Sequence, residues 1–289
     1  MAKHWRNLFL FLPTAAVMAL LLLRSDIAAE AVRAGLRLCA SSLLPSLFPF
    51  FVAVSFAVEA GLFHTLRSWG IPTAAAIFTL GALGGYPLGG KTVAEAYRVG
   101  LLTKEEAERL LCCCNNAGPA FILTVVGRHV FRNPVAGFSL WGIHLSVALL
   151  LFLLSRSKIP STLPPTPPRF SFVSAFLSAV TEAAEAMVRL CAFVVFFSVV
   201  MALLSTASGG VPPLLAGFVE LTVGVTNLTF HRRGFTAAAA LLGWGGVAVH
   251  CQTAAVLSHT DLSLRSYLGA KVLHGLLSAA AAWCVFPLL

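Results

Sequence analysis

The sequence predicts an all-α polytopic membrane protein built from two inverted repeats, each with a re-entrant helical hairpin and a broken transmembrane helix, behind an N-terminal transmembrane helix. Three observations predict it. Of 289 residues, 58% are hydrophobic and 11% charged, with a mean hydropathy of +0.88, where a soluble domain carries about a quarter charged residues. Several apolar segments are too short to cross a bilayer and run into glycines. The order of segments in the first half recurs in the second, at an offset of about 140 residues from Pro72 to Pro212.

A spanning helix needs roughly 20 apolar residues, so this length allows about seven or eight spans with short loops and leaves no room for a soluble catalytic domain. Residues 1–25 open with a charged start and an apolar run but have no small-residue cleavage site, and so read as a first transmembrane helix. The first repeat covers 26–155. It begins with Glu30, Arg33 and Arg37 at helical spacing against Ile27, Ala31, Leu36 and Leu38, which predicts a helix lying in the interface. Residues 43–62 follow as a span bent by Pro45 and Pro49.

Residues 72–84 are apolar but span only about 20 Å as a helix. They end in a glycine-rich tip at 84–91, and a second short arm follows. Two short arms joined by glycines predict a re-entrant hairpin, whose exposed backbone is tolerated only against protein or a water-filled cavity. A broken helix is predicted at 103–127, opened by Thr103 and Glu106 as a capping box and interrupted at Asn115-Asn116-Ala117-Gly118-Pro119. A full span at 134–154 leads to a Pro-rich linker at 156–170.

The second repeat, 171–289, repeats this order. An interfacial stretch with Glu182, Glu185 and Arg189 precedes a span, a short hairpin at 213–230, a broken helix at 234–257 interrupted by Gly243-Trp244-Gly245-Gly246, and a closing span. Three crossings per repeat make the repeats inverted. The positive charges lean toward an orientation with the N-terminus inside.

The net charge of +9 comes from 20 basic and 11 acidic residues. The basic ones concentrate between apolar segments, where loops meet anionic headgroups. The lipid bilayer is therefore the partner they indicate, and nucleic acid is not expected. The seven cysteines lie in apolar stretches and read as small buried hydrophobes. Cys112-Cys113-Cys114 does not converge on one ion, because consecutive helical residues point about 100° apart, so no metal site is expected. No zinc-protease helix, nucleophile elbow or strict phosphate-binding loop is present; neither enzymatic activity nor a cofactor is expected.

Chemistry is expected where hairpins and breaks leave backbone groups open near the bilayer midplane, as half-helix N-termini attract anions and freed carbonyls attract cations. The polar side chains there are Tyr86, Lys91, Asn115 and Asn116 in the first half, and Glu220, Thr222, Trp244, His250 and Gln252 in the second. A lone ionisable group such as Glu220 costs about 2.5–3.5 kcal/mol on insertion scales, so it should face a cavity, or else serve as a cap or ion-pair partner. Lys91 is placed to hold an anionic group, or to snorkel outward. Asn115 and Asn116 each offer two donors and an acceptor, to a ligand or to the freed backbone. His250, beside Gln252, is placed to bind substrate, move a proton or pair with a neighbouring helix.

At Gly85-Tyr86-Pro87-Leu88-Gly89-Gly90-Lys91, Cys114-Asn115-Asn116-Ala117-Gly118-Pro119, Glu220-Leu221-Thr222 and residues 243–252, the sequence resembles the YlbJ-like sporulation integral membrane proteins. These stand within the wider nucleoside-recognition or Gate family, related to concentrative nucleoside transporters. The resemblance implies a polytopic protein of endospore-forming bacteria. A family member is linked to moving dipicolinic acid across the outer forespore membrane, and hairpin tips and broken helices are expected to hold the substrate.

Three functions follow as expectations. The first is secondary or facilitated transport of a small organic anion, with dipicolinic acid implied by the resemblance. The second is transport of a nucleoside or related metabolite coupled to Na⁺ or H⁺, and the third a non-transporting membrane scaffold in spore assembly. The expected substrate site comprises Tyr86, Lys91, Asn115, Asn116, Glu220, Thr222, His250 and Gln252, and a homo-oligomer stays open.

Overall fold

A computed structural model describes residues 11, 15–98, 100–155 and 171–289. Among these, all regular structure is helical. The expected first span falls largely outside them, although residues 15–23 are helical, and the linker at 156–170 lies outside the described residues.

In the first half, α1, Ser25–Leu38, is amphipathic as expected. Arg33 and Arg37 both pair with exposed Glu30, at 2.9 and 2.5 Å, while Ala28, Ala31 and Gly35 are buried on the opposite face. A π-helical turn at Cys39–Leu43 then leads into α2, Leu44–Glu59. The chain bends by 54° between Ser25–Leu43 and Leu47–Ala57. The widened turn and Pro49 inside α2 account for the bend, since a proline within a helix removes one helical hydrogen bond and crowds the carbonyl a turn earlier.

After α3, Leu62–Ser68, the hairpin forms from α4, Thr73–Gly84, and α5, Leu88–Arg98. The broken helix comprises α6, Lys104–Cys114, and a π-helical arm at Phe121–Val130. Thr103 and Glu106 form the expected reciprocal cap of α6. α7, Pro134–Leu154, is started by Asn133, which accepts from the Ala136 N–H, and by proline at its first position.

In the second half, α8 runs unbroken over Phe172–Ser208, 37 residues or about 55 Å at 1.5 Å per residue. The expected division into an interfacial stretch and a separate span is not seen. No glycine or proline falls inside this helix, whereas Pro45 and Pro49 stand at the corresponding bend of the first half. The hairpin follows as α9, Pro213–Val219, and α10, Leu221–Thr226. The broken helix is α11, Arg232–Trp244, with α12, Val247–Leu257, and α13, Arg265–Val285, closes the chain with a short 3₁₀ turn at Phe286–Leu288.

By length and apolar composition, four helical stretches among the described residues can cross a membrane: α7, α8, the α11–α12 pair and α13. The bent α1–α2 pair makes a fifth. The larger number the length allows included the first broken helix, whose leading arm carries Lys104, Glu105, Glu106, Glu108 and Arg109 and is too charged to count.

The halves interlock. α1 and α2 lie along α8, α12 packs against α5, and α13 touches both α6 and α7. One apolar cluster joins Phe51, Ile122 and Leu140 of the first half to Phe235 and Leu242 of the second. The first hairpin meets the first break through glycines. A Cβ on Gly89 would stand 2.2 Å from the Cys114 carbonyl oxygen, and one on Gly85, at φ 75°, would stand 2.7 Å from the Gly118 nitrogen. Backbone cannot yield as a side-chain tip does, so these contacts admit no Cβ.

Gly89→Ala is therefore expected to lower the thermal unfolding temperature of the protein in detergent, by an overpacking cost of about 1–3 kcal/mol or more. Gly142→Ala, in the interior of α7 where a Cβ meets nothing within 4 Å, should not lower it. Equal unfolding temperatures would show that the hairpin does not press on the break.

Candidate functional site

Each interruption exposes backbone groups that lipid cannot satisfy. In this fold, polar side chains from distant segments satisfy them. At the first hairpin tip Tyr86 is buried, and its hydroxyl donates to the Leu242 carbonyl of α11 at 3.1 Å, tying the tip to the opposite half. The Gly90 N–H donates to Asn115 Oδ1 at 3.1 Å. Asn115 Nδ2 in turn donates to Thr253 Oγ1 of α12 at 2.8 Å and to the Tyr267 hydroxyl of α13 at 3.1 Å. One carboxamide thus joins a hairpin, a broken helix and the closing helix.

Asn116 caps its own broken helix, with Nδ2 donating to the Cys113 carbonyl at 2.5 Å, while its Oδ1 accepts from Lys271 Nζ at 2.9 Å. Beyond the break, the Ala117 N–H donates to His144 Nε2 at 3.2 Å. That bond requires an unprotonated Nε2, which in the neutral ring puts the proton on Nδ1. The His144 ring stacks on His274 with centroids 4.4 Å apart, and both residues are buried.

The second hairpin turns at Glu220, which is 2% exposed. Its carboxylate accepts from the Val223 N–H at 2.5 Å, so it caps α10 from within the membrane region. Thr222 is buried two residues on. The hairpin closes through Gly217 and Gly224, whose backbones touch so closely that a Cβ on Gly224 would fall 2.1 Å from the Gly217 Cα. Trp244, at the second break, stacks on Phe218 at 4.7 Å and donates its indole N–H to the Phe218 carbonyl at 2.9 Å. His250 Nδ1 lies 3.2 Å from the Tyr267 hydroxyl, and its ring meets Trp244 edge-on.

These elements surround one cavity of about 50 Å³, whose wall includes Gly85 and Tyr86 of the first tip, Gly118 of the first break, Glu220 and Thr222 of the second tip, and Gln252 of α12. Leucine and valine side chains of α8 and the α1–α2 bend complete it. Gln252 Oε1 and His250 Nε2 are buried and find no hydrogen-bond partner among the described residues. The volume suits a water or two and lies far below the about 300 Å³ at which small-molecule sites begin. A ligand therefore requires the tips to part from the breaks.

The expected residues separate into groups. Tyr86, Glu220, Thr222 and Gln252 border the cavity, Asn115 and Asn116 stand behind it in the network, and His250 adjoins Tyr267. Lys91 is engaged elsewhere, since its Nζ pairs with Glu182 of α8 at 2.5 Å and both side chains are about a third exposed. Sequence reasoning missed Tyr267, Lys271, His274 and Ser278 of α13, all of them essentially inaccessible. They recur at helical spacing and line one face of the closing span, a periodic polar signal within a segment read only for its length. It also missed His144, a single polar group in an apolar span.

Outside the membrane region, Asp261 accepts from Lys104 Nζ at 2.9 Å and the Tyr97 hydroxyl at 2.8 Å, linking the first hairpin and broken helix to the loop after α12. The Lys104 hydrogen bond, then that from Tyr97, holds the Asp261 carboxyl below its usual range. A lowered carboxylate contributes stability that is complete above its unfolded titration and lost as pH falls through the lowered value, so this clamp should persist from neutrality down to about pH 4. Asp261→Asn should speed amide exchange over residues 258–264 at pH 7; unchanged exchange would show that the clamp holds nothing.

His144→Ala should leave the buried Ala117 N–H unpaired and destabilise the protein by about 1–3 kcal/mol, read by thermal unfolding. His144→Gln, which retains an acceptor, should lose less. Equal losses would remove the capping role.

No family model and no solved structure matches the chain. Among known proteins it is similar to the sporulation integral membrane protein YlbJ of Bacillus subtilis (strain 168), with 25% identity over an alignment of 313 positions covering 86% of this chain and 75% of the relative. The likeness covers most of the chain, so that it takes in both hairpin-and-break halves rather than one motif, and it supports a YlbJ-like assignment for this apolar, all-helical chain.

Proposed function

We propose that this protein is a membrane transporter of a small organic anion, acting by secondary or facilitated transport, with the substrate held where the hairpin tips meet the broken helices. The observation that carries the reading is the shared cavity. Both tips, the first break and the arm beyond the second all contribute to its wall, although those of the first half lie more than a hundred residues from those of the second. A scaffold has no need to bring four lipid-incompatible interruptions to one point and cover each with polar groups. A carrier does, because its substrate must exchange hydrogen bonds with those groups near mid-membrane.

In this reading the halves are inverted repeats, and the tips part to admit substrate on one side at a time. The similarity to a sporulation membrane protein supports a place in endospore formation, with dipicolinic acid as substrate and the outer forespore membrane as site. The alternative of a nucleoside substrate draws support from Glu220, Thr222 and Gln252, which offer a hydrogen-bonding wall suited to an uncharged polar ligand.

Binding to the native state must raise its stability, by about 2.7 kcal/mol at a ligand concentration a hundred times Kd. Dipicolinate is expected to raise the thermal unfolding temperature of the purified protein, uridine to leave it unchanged, and Glu220→Gln and Asn116→Ala each to reduce the dipicolinate effect. Stabilisation by uridine alone would move the function to the nucleoside reading. No shift with either would favour the scaffold.

A further inference from the structure

Resting on that reading, we propose that Lys271, not Lys91, is the cation that binds the substrate's carboxylate and so selects a carboxylate anion over an uncharged ligand. Lys271 lies in the closing span and is inaccessible to solvent. A lysine buried within a membrane helix is costly, by up to about 2.5–3.5 kcal/mol at the helix centre even on the milder scales, and Lys271 lies two turns into its span. Such residues ordinarily find a carboxylate. Here, among the described residues, the ion pairs are formed by other groups, and none includes Lys271.

What surrounds the ammonium is a set of weaker partners. Asn116 Oδ1 accepts one of its three N–H groups at 2.9 Å, and the ring centroids of Tyr86 and Tyr267 lie 5.4 and 5.8 Å away. An amide oxygen and two aromatic faces can hold a cation without neutralising it. The buried carboxylates are committed elsewhere: Glu220 to the Val223 N–H and Glu106 to the Thr103 N–H. The remaining titratable groups acting on Lys271 include Cys112, Cys113 and Cys114 of α6 and the imidazoles of His144, His250 and His274, and none is a fixed anion.

Position supplies the second half of the argument. Tyr86, one of the rings facing Lys271, forms part of the cavity wall, and Asn116, its hydrogen-bond partner, directly precedes the cavity residues Ala117 and Gly118. The ammonium therefore stands behind the first hairpin tip and first break, the surfaces that must separate to enlarge the cavity. When they separate, Lys271 becomes the nearest cation to the entering ligand, and a carboxylate completes the pair that the empty protein lacks. Lys91 has no such opening, being paired with Glu182 at the surface.

The test uses the full-length protein in detergent, with binding measured calorimetrically for dipicolinate and for its uncharged diamide, which has the same ring and outline. Wild type should bind dipicolinate about a hundredfold more tightly than the diamide, the scale of losing one partner of a buried charge pair. Lys271→Gln should lose that preference while unfolding at a temperature equal to or above that of wild type, because a buried unneutralised charge has been removed. Lys91→Gln should keep the preference.

Three results would overturn the assignment. Equal binding of the two ligands by wild type would do so with no variant needed, as would an undiminished preference in Lys271→Gln; in both cases a carrier using other residues survives. Failure of wild type to bind dipicolinate at all would remove both the assignment and the organic-anion function beneath it.

Discussion

A lipid bilayer offers no hydrogen bonds, and the interior of this protein is organised around that constraint. Every interruption of a helix leaves an N–H or a carbonyl open, and each must be covered from within. The Ala117 N–H is covered by His144, the Gly90 N–H by Asn115, the Val223 N–H by Glu220, the Leu242 carbonyl by Tyr86 and the Phe218 carbonyl by Trp244. The Tyr86 bond crosses from one half to the other, and Asn115 also reaches across to Thr253 and Tyr267, so two of the polar residues that make the breaks tolerable also lock the two halves together. Removing one leaves a buried polar group unpaired, at a cost of about 1–3 kcal/mol.

The network also explains why the interior is closed. Its members hydrogen-bond one another beside a cavity of only about 50 Å³, and glycines let the first tip press against the first break. A larger groove of about 930 Å³ lies between residues 17–21, α1, α2 and α8, but its wall is apolar throughout, with cysteine its most polar side chain. It offers nothing to orient a carboxylate. Under the proposed function, a substrate entering the small cavity would replace internal hydrogen bonds with its own, so that its chemistry, rather than the volume available, would be the basis of selection.

Much of this was legible in the sequence because breaks in membrane helices are written in glycine, proline and asparagine. The hairpin at 84–91, the interruption at Asn115 and Asn116, and the turn at Glu220 all follow from short apolar runs ending in residues that cannot continue a helix. Contacts between distant residues were not legible. Lys91 beside a glycine-rich tip reads as an anion ligand until Glu182, 91 residues away, is seen to occupy it. Lys271 reads as one basic residue near the start of the last span, and only its packing against Asn116, Tyr86 and Tyr267 shows that it points inward. The unbroken course of α8 was missed because its charges suggested an interface, although the absence of proline and glycine from it was the stronger signal.

The central claim is that substrate sits between the hairpin tips and the breaks. It is tested most directly by an experimental structure with a bromine-labelled dipicolinate, whose heavy atom marks its position independently of how the surrounding density is traced. The account predicts that the marker lies within a widened cavity bounded by Tyr86, Gly118, Glu220 and Gln252, with a carboxylate within hydrogen-bond distance of Lys271 Nζ. A marker found only in the apolar groove against α8, with the tips still closed on the breaks, would contradict it.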